Sequence, residues 1–155
     1  MFLKLPNEEK IVWTSHSKMK MRQYRFSEKR VLRILRKLPK VKHVFIGSGV
    51  RYDLLVDSYS DEFLKELCAY HVSGRLKVAP EHSVDSVLAL MNKPPFKVYE
   101  RFVERYGKVN KLLKKKQYLV NYFIASHPGS RLEDALELSQ RLFKKKIHPE
   151  QIQDF

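Results

Sequence analysis

A single cysteine in 155 residues excludes two classes of explanation together. Cys68 has no partner for a disulfide within the chain and cannot by itself build a Cys-only metal site. A reducing, cytoplasmic compartment is the matching expectation. No apolar run approaches the roughly 20 residues that cross a bilayer, and Met1 to Lys10 lacks the apolar centre of a signal peptide, so no membrane location is expected. A nucleophile elbow and paired metal-ligand spacings are also missing, which leaves a hydrolase built on His71, His82 or His127 without support. Acidic residues are scarce as well. Against 17 Asp and Glu stand 31 Lys and Arg, a formal net charge of +14, which draws anionic partners through a long-range field.

What is present reads as one domain, because 155 residues with 43% hydrophobic content bury one modest core. From Phe26 to Leu38, Ser27 can cap a helix with the apolar stripe Val31, Leu32, Leu35 and Leu38, ended by Pro39. Val44, Phe45 and Ile46 form a short β-branched and aromatic run closed by Gly47 and Gly49, the pattern of a buried strand over 43–47. A helix from Asp61 to Tyr70 follows, with Phe63, Leu64, Leu67 and Cys68 on one stripe. That placement makes Cys68 a small packed hydrophobe. A second strand is expected over 75–79, then a helix capped by Ser83 that stops before Pro94 and Pro95.

Tyr99, Phe102, Val103, Tyr106, Val109 and Leu113 recur at helical spacing, with Gly107 weakening that helix by roughly 1 kcal/mol relative to Ala. The apolar run 118–125, interrupted by Asn121 alone, predicts a strand covered on both faces. Ser130 is the expected cap of a final helix with Glu133 and Asp134 in its first turn and Lys144 to Lys146 in its last, matching the helix dipole. A further strand is expected over 151–155.

Continuous apolar strands alternating with amphipathic helices define an α/β fold built on a parallel sheet. An eight-unit barrel needs about 250 residues, so these units amount to a partial (βα) barrel. In such folds ligands meet the carboxyl ends of the strands. Those ends carry Gly47, Ser48, Gly49, Val50 and Arg51; Pro80, Glu81 and His82; and Ser126, His127, Pro128 and Gly129. Arg51 can clamp a carboxylate or phosphate, and Glu81 with His82 can accept hydrogen bonds or move protons. Glycines such as Gly129 allow close backbone approach. If Leu76 and Val78 face the helices, Lys77 faces the lumen, where a buried lysine requires a partner. Gly, Ser, Pro and His are also ordinary turn formers; the weight lies in three equivalent segments sharing one rim.

At these same residues the chain resembles a known family. Lys37 to Asp53, HVSGRLKVAPEH from His71 to His82, QYLVNYFIASHPG from Gln117 to Gly129 and the final QIQDF are similar to the YgiQ-type radical S-adenosylmethionine family, from about Leu35 onward. The resemblance implies a TIM-type barrel in which a CxxxCxxC motif in an earlier loop holds three irons of a [4Fe-4S] cluster. S-adenosylmethionine binds the fourth iron and yields a 5′-deoxyadenosyl radical. It implies Ser48, Arg51, Lys77, Glu81, His82, Ser126, His127 and Gly129 as cofactor or substrate contacts, with no protein ligand to metal among them and no residue assigned as catalytic.

One cysteine cannot ligate that cluster. The chain is therefore expected to be the later part of the barrel, inactive alone: either a remnant of a broken gene or one half of a split enzyme whose partner chain carries the CxxxCxxC half. Residues 1–25 do not resemble the family and are expected to be poorly ordered, leaving 26–155 as the barrel portion. The alternative function is a binding module for RNA or another anionic partner, through Arg30, Arg33, Arg36, Lys37, Lys40 and Lys42 with Lys108, Lys111 and Lys114 to Lys116.

Overall fold

A computed structural model describes residues 2–4, 10–12, 28–56, 61–149 and 151–154. Most of the 1–25 segment, including the expected disorder there, lies outside the described residues, as does the expected cap Ser27. In chain order the elements are β1 (Phe2–Lys4), β2 (Lys10–Val12), α1 (Glu28–Arg36), β3 (Val44–Phe45), a 3-10 turn (Tyr52–Leu55), α2 (Asp61–Tyr70), β4 (Arg75–Glu81), α3 (Asp85–Leu90), α4 (Phe96–Leu112), β5 (Tyr118–Ser126), α5 (Leu132–Lys144) and β6 (Gln151–Asp154).

Three strands make the parallel sheet in the order β4-β5-β6, with Leu76 opposite Leu119 and Phe123 opposite Ile152. The expected strands at 75–79, 118–125 and 151–155 are therefore its members, with the first extended to Glu81. The strand expected at 43–47 is a correction. Only Val44–Phe45 is extended, and it pairs antiparallel with β1 in a separate sheet ordered β2-β1-β3. Its link to the parallel sheet comes later, through the Val50–Val78 bridge and the Val50 N–H donated to the Lys77 carbonyl at 3.0 Å. Gly47 and Gly49 end the run too early for it to continue beside β4.

The core lies on one side of the parallel sheet. Leu76, Val78 and Phe123 pack with Leu64, Leu67, Leu88, Phe96, Tyr99, Phe102, Tyr106, Leu138 and Leu142 from α2, α3, α4 and α5. An aromatic chain stitches the 3-10 turn to α4: Tyr52 meets Tyr99 edge-on at 5.6 Å and Phe102 at 5.9 Å. Asn121, the one polar residue to interrupt β5, faces this side and accepts a hydrogen bond from the Tyr99 hydroxyl at 2.7 Å. Its polarity therefore satisfies a buried donor. Cys68 is fully buried, and burial pushes its thiol up to about 12, in keeping with an inert packed residue.

Three helices reverse in the same way. After α3, α4 and α5, residues Asn92, Lys114 and Lys146 adopt positive φ of 53°, 52° and 53°. In each case the next N–H bonds five residues back: Lys93 to Leu88, Lys115 to Asn110 and Ile147 to Leu142. These are Schellman closures made without glycine. The helix starts differ from the sequence expectation. Ser130 does not cap α5; its hydroxyl bonds to the His127 carbonyl at 2.7 Å, while the Asp134 carboxylate accepts the Arg131 N–H at 2.8 Å. Ser83 likewise leaves its hydroxyl without a hydrogen-bond partner, and Val84 stands at the start of α3. Leu38, expected on the α1 stripe, falls in the turn beyond the helix and is 45% exposed.

Gly107 sits within α4, exposed, and an added Cβ there meets no atom within 4 Å. Gly107→Ala should stabilise the fold by about 1 kcal/mol through lost unfolded-state freedom. Urea denaturation with an unchanged m-value is the check, and an unchanged or lowered midpoint would refute it.

Candidate functional site

Residue parity along the strands defines the site. In β4, Leu76, Val78 and Pro80 are buried while Arg75 and Lys77 are exposed and Ala79 and Glu81 half-buried. In β5, Phe123 is fully buried and Leu119 joins the core, whereas Tyr118 and Ser126 are exposed and Val120, Tyr122 and Ile124 half-buried. One face of the sheet is thus packed by helices and the other is open. Parallel sheets are ordinarily covered on both faces, so the expectation of a fully covered β5 is corrected: its cover is one-sided among the described residues.

Lys77 lies on the face opposite Leu76 and Val78, as its alternation requires, but it is exposed. Burial was the wrong expectation, because nothing among the described residues closes over that face. Further along, the Tyr122 hydroxyl donates to Gln153 Oε1 at 3.0 Å and the Ser126 hydroxyl reaches Asp154 Oδ1 at 3.4 Å. These two bonds tie β6 to β5 across the open face. Tyr122, Gln153 and Asp154 escaped the sequence argument, since only pairing reveals that they stand beside Ser126.

At the carboxyl end of β4 the backbone leaves its regular path. The β4–β5 register shifts between Val78 and Glu81, and Glu81 has φ +66°, a conformation that costs a non-glycine residue roughly 1 kcal/mol or more. The bulge turns the Glu81 carboxylate to Lys93, with an ion pair at 2.7 Å. Beside it a cavity of about 110 Å³ is lined by Arg51, Asp53, Asn92, Lys93 and Ala79 among others. Arg51 engages Asp53 through two bonds, Nε to Oδ1 at 2.8 Å and Nη2 to Oδ2 at 2.5 Å. That guanidinium holds the Asp53 carboxyl below its ordinary value, and the carboxylate in turn raises Arg51. Two ion pairs of alternating sign therefore meet at this end of β4. Asp53, Asn92 and Lys93 were not found from sequence; Asp53 is two residues past Arg51, and Lys93 is carried there by the closing turn of α3.

The other expected residues do not converge as closely. His82 is fully buried. Its Nδ1 accepts the Val84 N–H at 3.1 Å, which places the ring proton on Nε2, an atom buried without a hydrogen-bond partner. Burial lowers its pKa, against the pull of Asp134 and Glu137 and with the push of His127 and Arg141. Direct contact with a ligand is thus closed to His82; it supports the rim from beneath. His127 is half-buried, with Nδ1 2.8 Å from the Pro128 carbonyl. Ser48 is exposed, as is Gly129 at φ +88°. A Cβ on Gly129 would come within 2.9 Å of Leu90 Cδ1, the tip of an exposed side chain that can move aside, so the positive φ is what favours glycine there.

The residues present do not fit an iron–sulfur cluster. Cluster ligation needs several thiolates, and the single thiol is buried in the helix layer with its pKa pushed up to about 12. No group of three His, Cys, Asp or Glu side chains among the described residues is arranged to hold a metal. The rim cavity, at about 110 Å³, is also below the 300–1,000 Å³ range of ligand pockets. No helix among the described residues is long and apolar enough to cross a membrane.

Comparison with known proteins supplies what geometry alone does not. A UPF0313 protein of Clostridium botulinum is 54% identical over 125 residues, 81% of this chain. Over that stretch the chain belongs to the UPF0313 family. A Clostridium perfringens member is 49% identical over 125 residues, 81% of the chain, and a Methanosarcina acetivorans member 48% identical over 132 residues, 83% of the chain. This chain spans only 19%, 19% and 18% of those three relatives. No family model matches the chain, and no solved structure does. The family name carries no activity with it.

Proposed function

We propose that this chain forms the later wall of a radical S-adenosylmethionine barrel, whose helix-free sheet face lines the cofactor and substrate chamber. The observation that supports this reading is the one-sided cover of the parallel sheet, with Lys77, Tyr122, Ser126, Gln153 and Asp154 on the open face. An uncovered parallel face bearing such groups suits a lumen better than a solvent surface. The bulged end of β4, with Glu81 and Lys93, and Arg51 with Asp53 would form part of its upper rim.

A cluster, supplied with S-adenosylmethionine, would provide a radical that abstracts hydrogen. Its thiolate ligands must come from outside these 155 residues, from a CxxxCxxC segment or partner chain. The role of this chain's own residues is to bind and orient. Lys77 can place a positive charge on an anionic group, Arg51 can take a second hydrogen-bonding fork through the guanidinium edge not engaged by Asp53, and Ser126 can donate to a polar substituent.

The test pairs the chain with a segment of a UPF0313 relative that carries CxxxCxxC. The chain alone should hold no stoichiometric iron and sulfide and should form no 5′-deoxyadenosine under dithionite. The pair should form it, and Lys77→Ala should reduce the yield at least tenfold while leaving the iron content unchanged. Cleavage of S-adenosylmethionine by the purified chain alone would sink the proposal.

A further inference from the structure

A second and larger cavity, about 520 Å³, opens at the opposite end of the strands. Arg36 from the end of α1, Lys42 and His43 before β3, Tyr70 from the end of α2, and Lys115 and Lys116 before β5 supply its charged and aromatic walls. Four of these side chains are basic, and no carboxylate lines the cavity among the described residues. The Arg36 guanidinium lies over the Tyr70 ring at 3.9 Å, yet its Nη1 is buried without a hydrogen-bond partner. His43 stacks on Phe45 with centroids 5.3 Å apart and planes 8° from parallel. The carbonyl end of α2, which would repel an anion, is neutralised by Lys115, whose Nζ donates to the Ala69 carbonyl at 3.1 Å.

We infer that this cavity binds a single-stranded polynucleotide, with one nucleotide seated inside and its phosphodiester chain running over the neighbouring lysines. The chemistry combines the two features that such strands require: cations that follow the phosphates and exposed rings on which bases stack. The volume fits one nucleotide within the usual range of ligand pockets. Lys37 and Lys40 beyond α1, and Lys111 and Lys114 before Lys115, are exposed and extend the positive path past the cavity mouth, which a mononucleotide would not use. The site is remote from the β4 rim, so the inference does not depend on the enzymatic reading.

The experiment measures binding of a fluorescein-labelled 12-nucleotide oligouridylate to the full 155-residue chain by anisotropy, from 50 to 200 mM salt. With about 0.7 counterions released per phosphate on a single strand, four contacts predict a log–log slope near −2.8 and roughly fiftyfold weakening over that range. Lys42→Ala with Lys116→Ala should reduce the slope by about 1.4, and Tyr70→Ala should weaken binding roughly tenfold with little change of slope. Lys97→Ala with Arg101→Ala, an equal charge change in the first turns of α4, should do neither. Circular dichroism melts verify that each variant is folded. Absence of binding at 50 mM salt, equal losses in the two double variants, or uridine monophosphate binding as tightly as the 12-mer would each overturn the inference. Binding to anionic vesicles but not to the oligonucleotide would also overturn it.

Discussion

Acidifying the protein from pH 7 to pH 5 is expected to lower its unfolding free energy by at most about 4 kcal/mol, shared between two buried histidines. His71 is fully buried, donates Nδ1–H to the Val44 carbonyl at 2.8 Å, and leaves Nε2 buried with no hydrogen-bond partner. A proton on Nε2 would bring a charge into that site. Burial is the main cause of its lowered pKa; Glu66 and the Val44 carbonyl oppose the shift and Arg36 adds to it. His82 is lowered for the same main reason.

Both rings take up protons in the unfolded chain near pH 6.5 and resist them in the folded one, so the unfolded state binds more protons. Stability is therefore complete above about pH 6.5 and declines as pH falls below it, until each ring's own lowered value is passed. The steepest slope is about 1.4 kcal/mol per pH unit for each ring. Asp53, held below its ordinary 3.8 by Arg51, contributes above that range and loses its contribution only at lower pH, outside this window. Urea melts at pH 7, 6 and 5 measure the decline. His71→Gln, whose amide can still donate to the Val44 carbonyl, should halve the slope. A pH-independent midpoint in the unsubstituted protein would show that the rings are not held neutral by burial.

Phe102→Ala should cost about 3–5 kcal/mol, a large share of the 5–15 kcal/mol that holds a typical domain folded. Phe102 has no solvent exposure, lies 5.8 Å from the Tyr106 ring and 5.9 Å from Tyr52, and faces the 3-10 turn from the middle of α4. Its loss removes apolar burial and also opens a void between a helix and a turn whose backbones cannot close on it. Because Tyr52 lies between Arg51 and Asp53, loosening this contact should also disturb the rim ion pair. Leu112→Ala in the same helix, where the side chain is 64% exposed, should change stability by less than about 0.5 kcal/mol. Chemical denaturation of both variants decides the matter; equal midpoints would mean that α4 is not packed through Phe102.

The parallel part of the fold was legible because β4, β5 and β6 each follow or precede an amphipathic helix, and because β5 carries an apolar run that outlasts any competing period. The region around Val44 was not. Its run is two residues long in the structure, and its partner β1 comes from a segment with no periodic pattern to announce it. Helix caps were misread for a chemical reason: at Arg131 the available acceptor was the Asp134 carboxylate, and at Val84 it was the His82 ring. Serines stood next to both places, but spacing alone does not say which acceptor wins. The sequence places the carboxyl ends of β4 and β5 near Glu81 and Ser126, where the strands do end, but the accessibility of the residues there was not legible. Whether His82 is covered or Lys77 is open depends on which helices pack where, and that is a tertiary property.

Because helices cover one face of the sheet and leave the other open, substitutions along β5 should fall into two interleaved vocabularies. Leu119, Asn121 and Phe123 face the helix layer; Val120, Tyr122 and Ile124 face the open side. Substitutions at Val120 and Ile124 leave the packed set untouched, whereas one at Tyr122 also loosens the tie to β6. The packed and the open side of the sheet are thereby written on alternate letters of one strand.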